Sequence, residues 1–191
     1  MTGGGSTLTR MNKHSLPRRL GGAAALIGVT ALVSGAGAAP ADVAPAGTTP
    51  TVSAKGVGLV KIGKSYTKLR KQNLVGKIRP GCELGGPNTR SAPLKKPLKG
   101  SVDFTQTSPR RVTNVTVFGG AKTAKGLGIG ATIEEIQAAY PHAKVDHGSD
   151  EVFQVTFVTI PKSDGGRFQF AVPVDTGKTT AIGVPYIATC E

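Results

Sequence analysis

One short pattern occurs twice in this chain, and its spacing limits what the chain can fold into. Ile62-Gly63-Lys64-Ser65-Tyr66-Thr67-Lys68-Leu69 aligns with Ile129-Gly130-Ala131-Thr132-Ile133-Glu134-Glu135-Ile136, position for position and without a gap. Each position has a physical task. The glycine lets the chain turn sharply out of a short strand. The hydroxyl of Ser65 or Thr132 accepts from a free amide of a first helical turn. The apolar pairs Tyr66/Leu69 and Ile133/Ile136, at i and i+3, put one stripe of a helix against a sheet. In the second copy Thr132 and Glu135 form a capping box, Tyr140 extends the stripe, and Pro141 stops the helix. In the first copy Lys68 stands where Glu135 stands, against the helix dipole.

Strand-like runs follow each copy. After the first come SVDFTQT and RVTNVTVF, joined by a turn at SPR. After the second come EVFQVTFVTI, RFQFAVPV and TTAIGVPYIATC, separated by KSDGG and DTGK. The alternation and the turn residues predict antiparallel hairpins. In the last run, period two places Ile182, Val184, Tyr186 and Cys190 on one face. The proline-rich, basic segment from Glu83 to Lys99 reads as a long loop. The class is therefore α+β, with two tandem modules, each a short helix packed on antiparallel strands. Their bounds are 55–120 and 121–191. With three tyrosines and no tryptophan, their cores must be aliphatic and small.

Residues 1–38 read as a secretory signal. Arg10, Lys13, Arg18 and Arg19 form a positive start, GGAAALIGVTALVSG an apolar run, and Ala36-Gly37-Ala38 a small-x-small cleavage pattern. The run is too short and glycine-rich to span a bilayer stably, so no transmembrane segment is expected in the mature chain. Cleavage near Ala38 would leave a secreted protein, extracellular or associated with the cell wall. Residues 39–54 follow as a flexible Ala/Pro/Thr-rich linker. Of the two cysteines, Cys82 lies early in the mature chain and Cys190 at its end. In an oxidising compartment they should pair. The chain-entropy model assigns so long a loop about 4.7 kcal/mol. Two free thiols or a two-ligand metal site are the alternatives, and the CxxC spacing of a zinc site is lacking.

Charge is unevenly placed. Residues 39–125 carry 16 basic and three acidic side chains, a net +13, whereas residues 126–191 carry four basic and eight acidic ones, a net −4. Such asymmetry points to an anionic partner, or to two halves that complement each other across their own contact. Lys64, Lys68 and Lys71 recur at helical spacing, with Arg70, Lys77, Arg79, Lys95, Lys96 and Lys99 nearby in sequence. These nine are the candidate anion-binding residues, for wall polymers, anionic lipid heads or extracellular nucleic acid. Few aromatics interleave with them, so stacking on single-stranded bases is poorly supported.

The repeated unit, carried by Gly63-Lys64-Ser65 and Gly130-Ala131-Thr132, resembles the helix-plus-sheet modules of the β-lactamase inhibitory proteins (BLIP) and of the BamE/SmpA-type envelope proteins. A closer resemblance, through VTNVTVFGG, GLGIGATIEEIQAAYP and GKTTAIGV, is to exported Ala/Gly-rich actinobacterial proteins of unknown function. The first likeness implies inhibition of a secreted enzyme by an extracellular protein–protein contact. The inhibitors close a disulfide inside each module and bind through aromatics, features this chain does not share, so no binding residue is carried over.

Three catalytic or cofactor patterns remain. Gly126-Leu127-Gly128-Ile129-Gly130-Ala131 is formally G-x-G-x-x-A, and Asp146 follows at the distance expected of a ribose-binding acid. A dinucleotide site needs that turn to follow a buried parallel strand, and Thr123-Ala124-Lys125 is no such run. His142, Asp146 and His147, with Ser149 close by, are the residues a hydrolase would use. The segment carrying them reads as a polar turn, where two histidines with Asp146 or Asp150 would also hold a metal adventitiously. Glu134 and Glu135 point to different helix faces, which argues against a carboxylate pair. The expected function is thus binding without catalysis, cofactor or dedicated metal, with a BLIP-like inhibitor as the alternative and a hydrolase third.

Overall fold

A computed structural model describes residues 48–83 and 86–188, all within one compact unit, Ala44–Glu191. Residues 55–120 and 121–191 thus share that unit. The signal reading and Cys190 lie outside the described residues, as does most of the linker.

The element order is β1 (Thr51–Ser53), β2 (Gly56–Val57), β3 (Val60–Lys61), α1 (Tyr66–Lys71), β4 (Arg79–Pro80), β5 (Arg90–Pro93), β6 (Lys99–Phe104), β7 (Val112–Gly119), β8 (Lys122–Thr123), α2 (Ile133–Ala139), β9 (Lys144–Asp146), α3 (Asp150–Phe153), β10 (Val155–Pro161), β11 (Arg167–Pro173) and β12 (Ala181–Val184). The class is α+β. An eight-stranded antiparallel sheet runs β4-β5-β6-β7-β12-β11-β10-β9, and a small sheet runs β3-β2-β1-β8.

The large sheet is two four-strand meanders joined through their last strands. Val115 pairs Val184, Thr116 pairs Gly183 and Val117 pairs Ile182. In the alignment of the two copies Thr116 falls on Gly183, so the seam relates the copies by an approximate twofold turn. The repeat persists in detail. The Gly63 N–H donates to the Val112 carbonyl, and Gly130 to that of Thr179. In return Val112 donates to the Lys64 carbonyl, and Thr179 to that of Ala131. Both glycines have positive φ, +80° and +91°, which tolerates no ordinary side chain cheaply.

The helices begin where their caps stand. Ser65 accepts from the Lys68 amide, and Thr132 and Glu135 complete the capping box. Helices this short are marginal alone and rest on tertiary packing. Leu69 and Ile136 supply it, both fully buried in one core with Val102, Val115, Ile182 and Phe170. By strand alternation the opposite sheet face carries Phe157, Ala171 and Ala181, a separate cluster that Val155 and Ile187 join.

Four local expectations are corrected. The end of the presumed linker is strand β1, because Val52 pairs with Val57 and is buried against β8 as well. The presumed loop Glu83–Lys99 contains β5, whose Ser91 and Ala92 are buried beside β6. Glu151, Val152 and Phe153 form α3 rather than the start of a strand: Gln154 turns left-handed (φ 54°) and separates them from β10. The last strand stops at Val184, since Pro185 has no N–H to continue the ladder. The chain then folds back, with the Asn114 side chain donating to the Tyr186 carbonyl (2.7 Å) and the Ile187 amide to Gln169 (3.0 Å). Gly183 permits this, for a Cβ there would lie 2.2 Å from the Tyr186 oxygen. Tyr186 is 46% exposed, off the buried face on which period two placed it.

Because Leu69 and Ile136 fill the same core, each truncation to Ala should cost about 2–5 kcal/mol. Urea unfolding followed by circular dichroism should show one transition in both variants, shifted as a whole. Two separable transitions would contradict a shared core.

Candidate functional site

The basic candidates divide into groups. Lys64 lies in the turn before α1, not on it, and donates through Nζ to the Leu59 carbonyl at 3.1 Å. Its pKa is lowered by partial burial, then by the charges of Lys68 and Lys61. Lys68 and Lys71 are exposed on the helix. Lys61 was not among the sequence candidates. Its place just before Lys64 was the available signal, hidden because Lys61 belongs to a very short strand.

Lys95 and Lys96 line a cleft together with Lys61, although the two segments are distant in sequence. The approach is made by the backbone: the Lys95 amide donates to the Leu74 carbonyl (2.9 Å), just after α1. Arg70 has a structural task, since its guanidinium donates to the Val75 carbonyl at 2.9 Å. Arg79 lies on β4 and lines a different cleft with Cys82, Glu83 and Asp103. Lys77 and Lys99 are exposed, and nothing ties them to the lysine group. Among the described residues the sole ion pair joins His147 and Asp150, so none of the nine candidates is neutralised by a carboxylate at contact distance.

The glycine stretch lines its own cleft of about 440 Å³, from Gly126 to Ala131 with Lys122 and Glu135. It is not a phosphate cradle. The strand before it, β8, has two residues and belongs to the small sheet, and α2 has seven. The helix start is already occupied, with Glu135 Oε2 accepting from the Thr132 amide at 2.9 Å. Glu134 adds a second negative charge, its carboxyl held below the usual range by a backbone amide and then the Thr132 hydroxyl. Two carboxylates at that end repel a phosphate.

His142, Asp146 and His147 do not assemble. Asp146 accepts from the Gly148 amide at 2.9 Å, a local turn. His147 Nδ1 meets Asp150 Oδ2 instead, at 2.8 Å, and the Thr156 hydroxyl donates to the other oxygen of Asp150 at 2.9 Å. That contact with His147 leads the causes holding the Asp150 carboxyl below its usual range. All three candidates are exposed, and Ser149 makes no side-chain cap bond to α3. No group of three His, Cys, Asp or Glu residues is arranged for a metal ion among the described residues.

On the open sheet face, two clefts are both lined by Cys82, Asp103 and Ala188. Compared with known proteins, the chain matches no protein-family model, no curated protein and no solved structure. No helix among the described residues is long and apolar enough to cross a membrane.

Asp103 is the half-buried acid of the basic half. Burial raises its carboxyl pKa, partly offset by a hydrogen bond with Ser91. A raised folded value means the folded state keeps a proton that the unfolded chain has released. Stability then falls as pH rises from the ordinary aspartate value through the raised one. Asp103→Asn keeps an acceptor for Ser91 and should raise the urea midpoint at neutral pH, with the gain vanishing in acid. An equal or lower midpoint at neutral pH would contradict this.

Proposed function

We propose that this protein is a secreted, non-catalytic binding protein whose basic half engages an anionic polymer in the cell envelope or outside the cell. The observation that carries the reading is that Lys61, Lys64 and Lys68 lie around the turn from β3 into α1 with no carboxylate at contact distance among the described residues. Like charges gathered without a partner repel one another, and an anion relieves that repulsion. Lys95 and Lys96 extend the positive surface through the cleft they share with Lys61. Exposed ammonium groups on flexible stems suit a repeating, mobile polyanion better than one rigid, bidentate ligand.

The same half offers little else for recognition of a protein. Among its described residues the exposed large apolar side chains are Leu59, Ile62 and Phe118, a sparse set for a tight interface. Electrostatics must then dominate, and an electrostatic complex is sensitive to salt. From about 0.1 M to about 1 M the screening length falls from about 10 Å to about 3 Å.

Binding to poly(glycerol phosphate) should therefore weaken by at least about tenfold across that salt range. The triple variant Lys64→Gln, Lys68→Gln, Lys71→Gln should weaken it comparably at low salt. Binding that persists in high salt, or that ignores the triple variant, would overturn the reading.

A further inference from the structure

We propose that the cleft between the β2–β3 turn and the 95–98 turn is a binding site for an amphiphilic anion, a molecule with an apolar chain and one acidic head. The proposal rests on the reading of the basic half as an anion-binding surface and names a ligand class for one part of it.

The cleft holds about 620 Å³, within the size range of small-molecule sites. Its accessible apolar lining comes from Pro50, Leu59, Leu74 and Pro97 above the buried Val60 and Leu98, its basic lining from Lys61, Lys95 and Lys96. Among the described residues no acidic side chain lines it. Leu59, at the tip of the β2–β3 turn, also borders it and is 64% exposed, the side chain of an apolar lip left in water.

The walls are held by backbone hydrogen bonds. Lys95 is tied to Leu74, and the Leu98 amide donates to the Lys95 carbonyl at 3.1 Å. Val75 bridges Leu94 beside them. On the other wall Gly58 donates to the Thr51 carbonyl at 3.0 Å, and the Lys64 ammonium holds the Leu59 carbonyl. A pre-formed cleft avoids the ordering cost of closing around its occupant.

The two kinds of lining select the ligand together. A bare phosphate or acetate would satisfy the lysines and leave the apolar walls wet. A neutral alkyl chain would dry the walls and leave the three lysines without a counter-charge. A chain with an anionic head satisfies both. A flat bilayer surface fits less well, because Val60 and Leu98 are almost fully buried at the floor and Leu59 alone projects.

The test is calorimetric titration of the full chain with dodecanoate below its micelle concentration, with methyl dodecanoate and acetate as controls. The expected result is saturable one-to-one binding of dodecanoate, at least about tenfold weaker for the methyl ester, and none for acetate. Lys95→Gln with Lys96→Gln should weaken dodecanoate at least about tenfold, as should the exposed Leu59→Ser. Circular dichroism checks that each variant is folded. Failure to saturate, equal binding of the ester, or indifference to the double lysine variant would overturn the proposal. Poly(glycerol phosphate) binding is measured on the same samples. If the polymer binds and dodecanoate does not, the cleft proposal alone fails. If neither binds, the anion reading fails with it.

Discussion

The pairing of β7 with β12 is the contact on which the rest depends. Each four-strand meander would otherwise present a long edge of unpaired backbone groups, a template for unwanted association. Joining the two through Val115–Val117 and Ile182–Val184 removes both of those edges at once and makes one sheet. It also makes one core. Val115, Val117, Ile182 and Val184 stand on the same side of that seam, fully buried, and Leu69 and Ile136 descend on the cluster they belong to. Two helices of six and seven residues would not persist in water unaided.

At their helix starts the two copies differ in charge. The third helical position holds Lys68 in one and Glu135 in the other. In the second copy the carboxylate turns inward electrostatically: it caps its own helix and leaves no site for an anion. In the first copy no acid stands in the first turn, and basic side chains gather at the helix end. The same geometry therefore closes one helix start and leaves the other half strongly positive. The functional reading rests on that difference and not on the glycines, which serve turns in both copies.

Sequence reasoning reached what is local. The glycine step, the hydroxyl cap and the apolar stripe fall at Gly63, Ser65 and Leu69 and again at Gly130, Thr132 and Ile136, because each depends on near neighbours in the chain. What it missed depends on distant partners. Val52 is a strand residue only because β2 and β8 flank it. Arg90–Pro93 looks like loop until β6 supplies its ladder. Val152 and Phe153 have strand propensity, yet Asp150 bonds to His147 and Thr156 and Gln154 turns left-handed, and the helical turn wins. The candidate lysines show the same division. Lys64 and Lys68 are near in sequence and near in space, whereas Lys61 joins Lys95 and Lys96 only through the fold.

The glycine turn and capped helix occur in both halves, so a bound anion can report which one it prefers. The decisive measurement is an amide chemical-shift map of the full chain titrated with poly(glycerol phosphate) at low salt. The account expects shifts concentrated at residues 59–71 and 95–99, with the equivalent residues 126–138 and 162–166 unmoved. Shifts spread evenly over both copies, or confined to the second, would contradict it.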